Sequence, residues 1–167
     1  DLIQASDRVT TISLGRADLV MDLRGEPTGD LHLLPYLMQR LIVIAGATKV
    51  QAIGAWWRGN SRGLVASYQD TLEAATTGMQ TGFRGALCMR THQVAALNSG
   101  FTPSVSEVSH ATAIVHALAQ AKSQGNPSVV TDGEIISVAR AEIAGKTLNW
   151  SEACHSRDKS KLKLIPS

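Results

Sequence analysis

The sequence predicts an α/β fold with parallel strands, and three observations predict it. Strand-like and helix-like segments alternate along the first half of the chain. The clearest strand is rich in β-branched residues and ends at a glycine. The connections between strands are helical and long enough to suit parallel pairing.

The elements follow in order. Val9-Thr10-Thr11-Ile12-Ser13-Leu14, ending at Gly15, reads as a buried strand. Asp18-Leu19-Val20-Met21-Asp22-Leu23 comes next, then a Gly/Pro loop over 24–30. Apolar residues at 34, 37, 38, 41, 42 and 45 have helical spacing, with Gly46 as the expected C-cap. A second strand spans 50–55, followed by a loop over 56–67. A helix is expected over 68–79, with Leu72, Ala75 and Met79 on one face and Ser67 or Asp70 as cap. Ala86-Leu87-Cys88-Met89 reads as a third strand.

The pattern then changes. Ser104-Val105-Ser106-Glu107 matches a capping box. The helix it opens carries Val108, Ala111, Val115, Leu118 and Ala119 on a stripe and stops near Gly125. Asp132-Gly133 between Val129-Val130-Thr131 and Glu134-Ile135-Ile136 predicts a hairpin with a type I′ turn. A last helix covers 138–148. The tail from Trp150 is polar and basic, and a solvated or partly ordered terminus is expected there.

Composition narrows the function classes. The 167 residues can build one domain with a real core. A net charge of +2 argues against a nucleic-acid partner, which would need a concentrated basic patch. The longest apolar stretch, 37–47, is interrupted by Gln39 and Arg40, so no membrane partner is expected. The start, Asp1-Leu2-Ile3-Gln4, reads as neither a signal nor a transit peptide. It has no initiating Met, so the chain is expected to begin inside something larger or to have been processed. Cys88 and Cys154 form no C-x-x-C pair; a buried thiol is expected at Cys88, and the composition fits a reducing, cytoplasmic setting.

Five segments in order carry a resemblance. They are Leu14-Gly15-Arg16-Ala17-Asp18-Leu19; Ser61-Arg62-Gly63-Leu64-Val65-Ala66-Ser67 with Asp70-Thr71; Gly82-Phe83-Arg84-Gly85-Ala86-Leu87-Cys88 leading to Gln93-Val94; Asn98 through Phe101-Thr102-Pro103-Ser104 to Glu107-Val108; and Asp132-Gly133-Glu134-Ile135-Ile136. In order and spacing they resemble the citrate lyase β-subunit-like branch of the HpcH/HpaI aldolases, C-terminal half. The resemblance implies the C-terminal part of a TIM (β/α)₈ barrel plus a helical and hairpin C-terminal appendage. A whole barrel takes about 250 residues, more than are present. The implied division is 1–100, the last three barrel strands with their helices; 101–149, a helix–hairpin–helix lid; and 150–167, the polar basic tail.

The implied activity is Mg²⁺-dependent aldol-type carbon–carbon cleavage of a 3-hydroxyacyl-CoA thioester, such as a citryl, malyl or citramalyl ester, or of a 2-keto acid. The implied partners are that substrate, an N-terminal barrel half supplied elsewhere, and further copies in a homotrimer or hexamer. Asp18 matches the family's second metal carboxylate; read from the residues alone, it is an N-cap for the segment after it. The backbone around Gly15, Arg16 and Ala17 would lie against the substrate carboxylate, since amides near a turn bind anions. The other metal carboxylate, a Glu, and a substrate-binding Arg would come from earlier strands.

Other residues stay open. Trp56-Trp57-Arg58 either flanks the acid or CoA site or packs at a subunit contact. His110 and His116, six apart, lie on different sides of one helix and are not a metal pair. The family's usual Ile-His-Pro-x-Gln reads Met89-Arg90-Thr91-His92-Gln93 here, and His92 is assigned no role. Ser137 stands at the lid position, where the family often carries an acid. A hydroxyl cannot replace a carboxylate in proton transfer near neutral pH. The alternative is therefore a catalytically impaired homologue serving as a structural or regulatory subunit. A stand-alone α/β binding module is the third reading.

Overall fold

A computed structural model describes residues 2–22, 33–57 and 63–163. The expected loop over 24–30, His32, Arg58, Ser61 and Arg62 lie outside the described residues. The chain divides into two compact units, Asp1–Phe101 and Thr102–Ser167.

The first unit is the parallel α/β part. Strand β1 (Thr11–Ser13) pairs in parallel with β2 (Gln51–Ile53), Ile12 opposite Ala52. Between them lie α1 (Arg16–Asp22) and α2 (Leu33–Thr48). Both strands are shorter than the apolar runs that announced them. Helix α2 continues past Gly46, the expected cap, and ends at Thr48 with Lys49 at φ 59°.

The third strand is present only as a trace. The Arg84 N–H donates to the Ala52 carbonyl at 2.9 Å, and the Gly54 N–H donates to the Gly85 carbonyl at 2.7 Å. Both bonds run in the parallel sense. In a regular ladder the second would return to Arg84, so the pairing slips by one residue and no strand forms over 86–89.

Helix α3 (Tyr68–Thr81) starts at a complete capping box. Asp70 N–H donates to the Ser67 hydroxyl at 3.1 Å, and Ser67 N–H donates to the Asp70 carboxylate at 3.0 Å. Ser67 is the cap and Asp70 its partner. The Ser67 hydroxyl, then the Ser67 N–H, hold the Asp70 carboxyl below its ordinary 3.8. A lowered folded pKa stabilises above the ordinary value and loses that contribution as pH falls through the folded one. The start of α3 should therefore fray below about pH 4. Asp70→Asn should flatten this acid limb in a helicity-against-pH titration; an unchanged limb would mean that another carboxyl controls it.

The chain then forms a helix that the expected pattern omitted. Helix α4 (Gln93–Phe101) buries Gln93, Ala96, Leu97, Gly100 and Phe101. That is helical spacing, and α4 packs on α3. The approach is closest at Gly100, where a Cβ would stand 2.5 Å from the Ala75 Cβ and 3.1 Å from the Leu72 carbonyl. Gly100→Ala must push the helices apart. Overpacking costs about 1–3 kcal/mol, and the alanine returns up to about 1 kcal/mol of helix propensity. A net loss of about 1–2 kcal/mol is expected in chemical unfolding of this unit; a gain would mean that α4 can shift freely.

The core of the unit is Met38, Ala45, Ala52, Ala75, Phe83, Leu97 and Phe101. Ile12, Leu14 and Trp56 pack against it, half-buried.

The second unit holds α5 (Val105–Ser123), the hairpin β3 (Val129–Thr131) and β4 (Glu134–Ile136), and α6 (Val138–Leu162). The Ser104/Glu107 capping box forms as read. The hairpin pairs Val129 with Ile136, and Asp132 and Gly133 sit at φ 52° and 78°, the two positive angles a type I′ turn needs. The core is Ala111, Ile114, Leu118, Ile136 and Ala144. Ile114 and Ala121 replace Val108 and Ala119 on the α5 stripe. The largest departure is at the end: the last helix, expected over 138–148, runs unbroken to Leu162, so the segment from Trp150, expected as a solvated or partly ordered terminus, is helix with most of its side chains exposed. Lys159 and Lys161 in its last turn favour the helix carbonyl end electrostatically.

Candidate functional site

Parallel pairing fixes where chemistry can sit. The carboxyl ends of β1 and β2 lie at one edge, where 14–16, 54–57 and 86–87 emerge together. A pocket of about 130 Å³ opens there. Leu14, Arg16, Trp57, Phe83, Ala86 and Leu87 are among the residues that line it. Gly54 makes room for the Phe83 ring: a Cβ there would stand 2.8 Å from the ring edge. A larger cleft of about 760 Å³ opens at the opposite end, between Asp7, Thr10, Lys49 and Gln51. Ligands of parallel α/β sheets bind at the carboxyl ends of strands, so the smaller pocket is the candidate.

The four residues singled out at the first turn fall at this edge. Arg16 lines the pocket and opens α1, and Ala17 follows it. Asp18 is exposed in the first turn of α1, two residues beyond the lining Arg16. It is inside the helix and not its N-cap. Its carboxylate folds back over Gly15, with Oδ2 3.1 Å from where a Gly15 Cβ would stand. No group of three His, Cys, Asp or Glu side chains able to hold a metal occurs among the described residues.

The tryptophans separate. Trp56 packs on the core, and its N–H donates to the Ala74 carbonyl at 2.8 Å. Trp57 faces the pocket. Cys88, expected to be a buried thiol, is exposed, and its Sγ donates to the Arg90 carbonyl at 2.7 Å.

Two residues without an assigned role prove to be structural ties at this end. Gln93 is 1% exposed. Its Oε1 accepts from the Met89 and Arg90 N–H groups, each at 3.1 Å, and its Nε2 donates to the Gly63 carbonyl at 2.6 Å. Beside it, His92 Nε2 lies 3.1 Å from the Ala66 carbonyl. The signal was in the sequence: Gln93 begins the stripe that continues at 96, 97, 100 and 101.

Ser137 belongs to the second unit, as the N-cap of α6. Its hydroxyl accepts from the Arg140 N–H at 3.4 Å. Arg140 also pairs with Glu134 of β4. His110 and His116 are exposed. Among the described residues no helix is long and apolar enough to cross a membrane.

No protein-family model matches the chain. Citrate lyase subunit β of Escherichia coli K12 is 26% identical over 157 residues, covering 87% of this chain and 50% of that protein. The chain resembles citrate lyase subunit β. The subunit from E. coli O6:H1 aligns equally well. The CitE protein of Mycobacterium tuberculosis, crystallised with magnesium, acetoacetate and coenzyme A, shares the fold at a TM-score of 0.66. There the identity is 16%, over 85% of this chain and 51% of that one. The chain thus spans about half the length of the citrate lyase β relatives it matches.

Proposed function

We propose that this chain is the part of a Mg²⁺-dependent aldol-type carbon–carbon lyase that carries Gly15, Arg16, Ala17 and Asp18, acting on a 3-hydroxyacyl-CoA or a 2-keto acid. The observation that carries the reading is the pocket at the carboxyl ends of the parallel strands, with Arg16 in its wall and Asp18 two residues on in the same first turn of α1. The likeness to citrate lyase subunit β supports it, as does the fold shared with a protein that binds magnesium, acetoacetate and coenzyme A. In this reading 1–100 is the last part of a (β/α)₈ barrel, completed by an N-terminal half, and 101–149 is a lid in a homotrimer or hexamer.

The residues fit a magnesium site of the sparse kind. Mg²⁺ takes one or two protein carboxylates and keeps waters and substrate oxygens for the rest. Asp18, exposed and single, would hold it; when bound, the ion would polarise a keto oxygen. Arg16 brings positive charge to the pocket wall, and the Gly15–Ala17 amides face the substrate carboxylate. Leu14, Trp57, Phe83 and Leu87 supply the apolar part of the pocket wall. The volume is well below the roughly 300–1,000 Å³ of drug-sized sites, so the pocket suits the compact acid and leaves the CoA moiety outside. In cleavage the hydroxyl proton leaves, the bond between the carbinol carbon and the thioester α-carbon breaks, and that α-carbon takes up a proton.

Ser137 favours a second reading. Its hydroxyl caps α6 and supplies no acid, as an impaired structural or regulatory subunit would have it. The test is a panel of citryl-, malyl- and citramalyl-CoA with the full natural protein, with and without Mg²⁺. Magnesium-dependent cleavage of one ester is expected. No turnover together with retained CoA binding would favour the impaired homologue.

A further inference from the structure

Among the described residues, the pocket at the carboxyl ends of β1 and β2 has one charged side chain in its wall, Arg16, and one hydroxyl side chain, Ser13. The other lining residues are apolar or glycine. The inner part of that wall belongs to the core: Met38, Ala55 and Phe83 are all buried. Trp57 and Leu87 continue it, and Leu87, 75% exposed, stands at the rim. An apolar cavity of roughly 150 Å³ holds benzene, so the pocket's volume of about 130 Å³ takes about six or seven non-hydrogen atoms.

We propose that this pocket selects a substrate whose keto-acid half carries one carboxylate and a short alkyl group, R–CO–COO⁻ with R methyl or ethyl, over one with a second carboxylate. The inference rests on reading this pocket as the site of the acid. In that reading one carboxylate has its place, at Arg16 and the Gly15–Ala17 amides. A second, on the other side of the keto carbon, would be set against core side chains that offer it neither charge nor hydrogen bond. A methyl or ethyl group there leaves water for an apolar wall. The ester cleaved is then R–C(OH)(COO⁻)–CH₂–CO–S–CoA. Its hydroxyl gives up a proton and becomes the keto oxygen, the bond to the CH₂ carbon breaks, and that carbon takes up a proton. Acetyl-CoA and the 2-keto acid leave. The citryl ester, which would release the dicarboxylate oxaloacetate, is the disfavoured one.

The test is the binding of pyruvate, 2-oxobutyrate and oxaloacetate to the full natural protein with Mg²⁺, each followed by NMR titration. Either monocarboxylate should bind at least about tenfold more tightly than oxaloacetate. Arg16→Gln should weaken all three by similar factors, because the carboxylate it serves is common to them. Leu87→Arg, at an exposed position, brings a second cation to the rim and should shift the ratio toward oxaloacetate by about tenfold.

An oxaloacetate affinity equal to or above that of the monocarboxylates overturns the proposal, since a cation from outside these residues must then face the wall. A ratio that Leu87→Arg leaves unmoved overturns it too. Binding of none of the acids overturns it together with the reading of the pocket. Selective binding without turnover of any ester leaves this assignment standing and counts against the lyase reaction alone. Where an ester is turned over, the citramalyl ester should exceed the citryl ester in kcat/KM by at least about tenfold.

Discussion

Phe83→Ala should destabilise the Asp1–Phe101 unit by about 3–5 kcal/mol, a large share of the stability of a small domain. The ring is 1% exposed and lies against Gly54, which has no side chain to fill the space the ring would leave. Its backbone N–H is tied to the Gly78 carbonyl at 2.9 Å, so the main chain will not follow the lost ring inward. The cavity left behind would merge with the candidate pocket, which Phe83 helps to line. The core of the second unit contains none of these residues. Amide exchange should therefore accelerate in β1, β2, α3 and α4 and stay at wild-type rates in α5 and α6. Equal acceleration everywhere would mean that the two units unfold as one.

Asp18→Ala carries the second large effect. If Asp18 is a magnesium ligand, the variant should lose lyase turnover by on the order of a thousandfold, since Lewis-acid stabilisation is worth several kcal/mol. Stability should barely change. The side chain is exposed and joins neither core, and alanine is a better helix former than aspartate. Activity and stability thus come apart at Asp18, whereas Phe83→Ala lowers both.

Local signals were the legible part of the fold. A hydroxyl three residues before a carboxylate marked the start of α5, because that pair satisfies two otherwise unbonded N–H groups; at α3 the sequence left Ser67 or Asp70 as the cap, and the structure uses both. Asp132-Gly133 marked the hairpin, because both turn residues need positive φ. What the sequence concealed depends on packing at a distance. Helix α4 hides because its buried stripe begins with a glutamine and includes a glycine, residues that read as loop until Ala75 and the Gly63 carbonyl are set against them. The extension of α6 hides for a related reason: past Leu148 its buried position is a serine, Ser151, and most of the remaining residues are exposed and polar or charged. The third strand failed because Gly85 shifts the pairing register, which composition cannot report.

The candidate site was legible only where one turn carries it. Gly15, Arg16, Ala17 and Asp18 are contiguous, so their placement after β1 follows from the strand alone. Trp57, Phe83 and Leu87 meet around the pocket only once the parallel pairing brings separate connections to one edge.

Asp18 is proposed to hold a divalent cation at the carboxyl end of β1. Mn²⁺ can stand in for Mg²⁺ at an oxygen-ligand site. Its electron paramagnetic resonance signal should be titrated against the full natural protein and its Asp18→Asn variant, in the presence of oxaloacetate. Saturable binding is expected in the wild type, and its loss in Asp18→Asn at unchanged folding. Equal binding by the two proteins would contradict it.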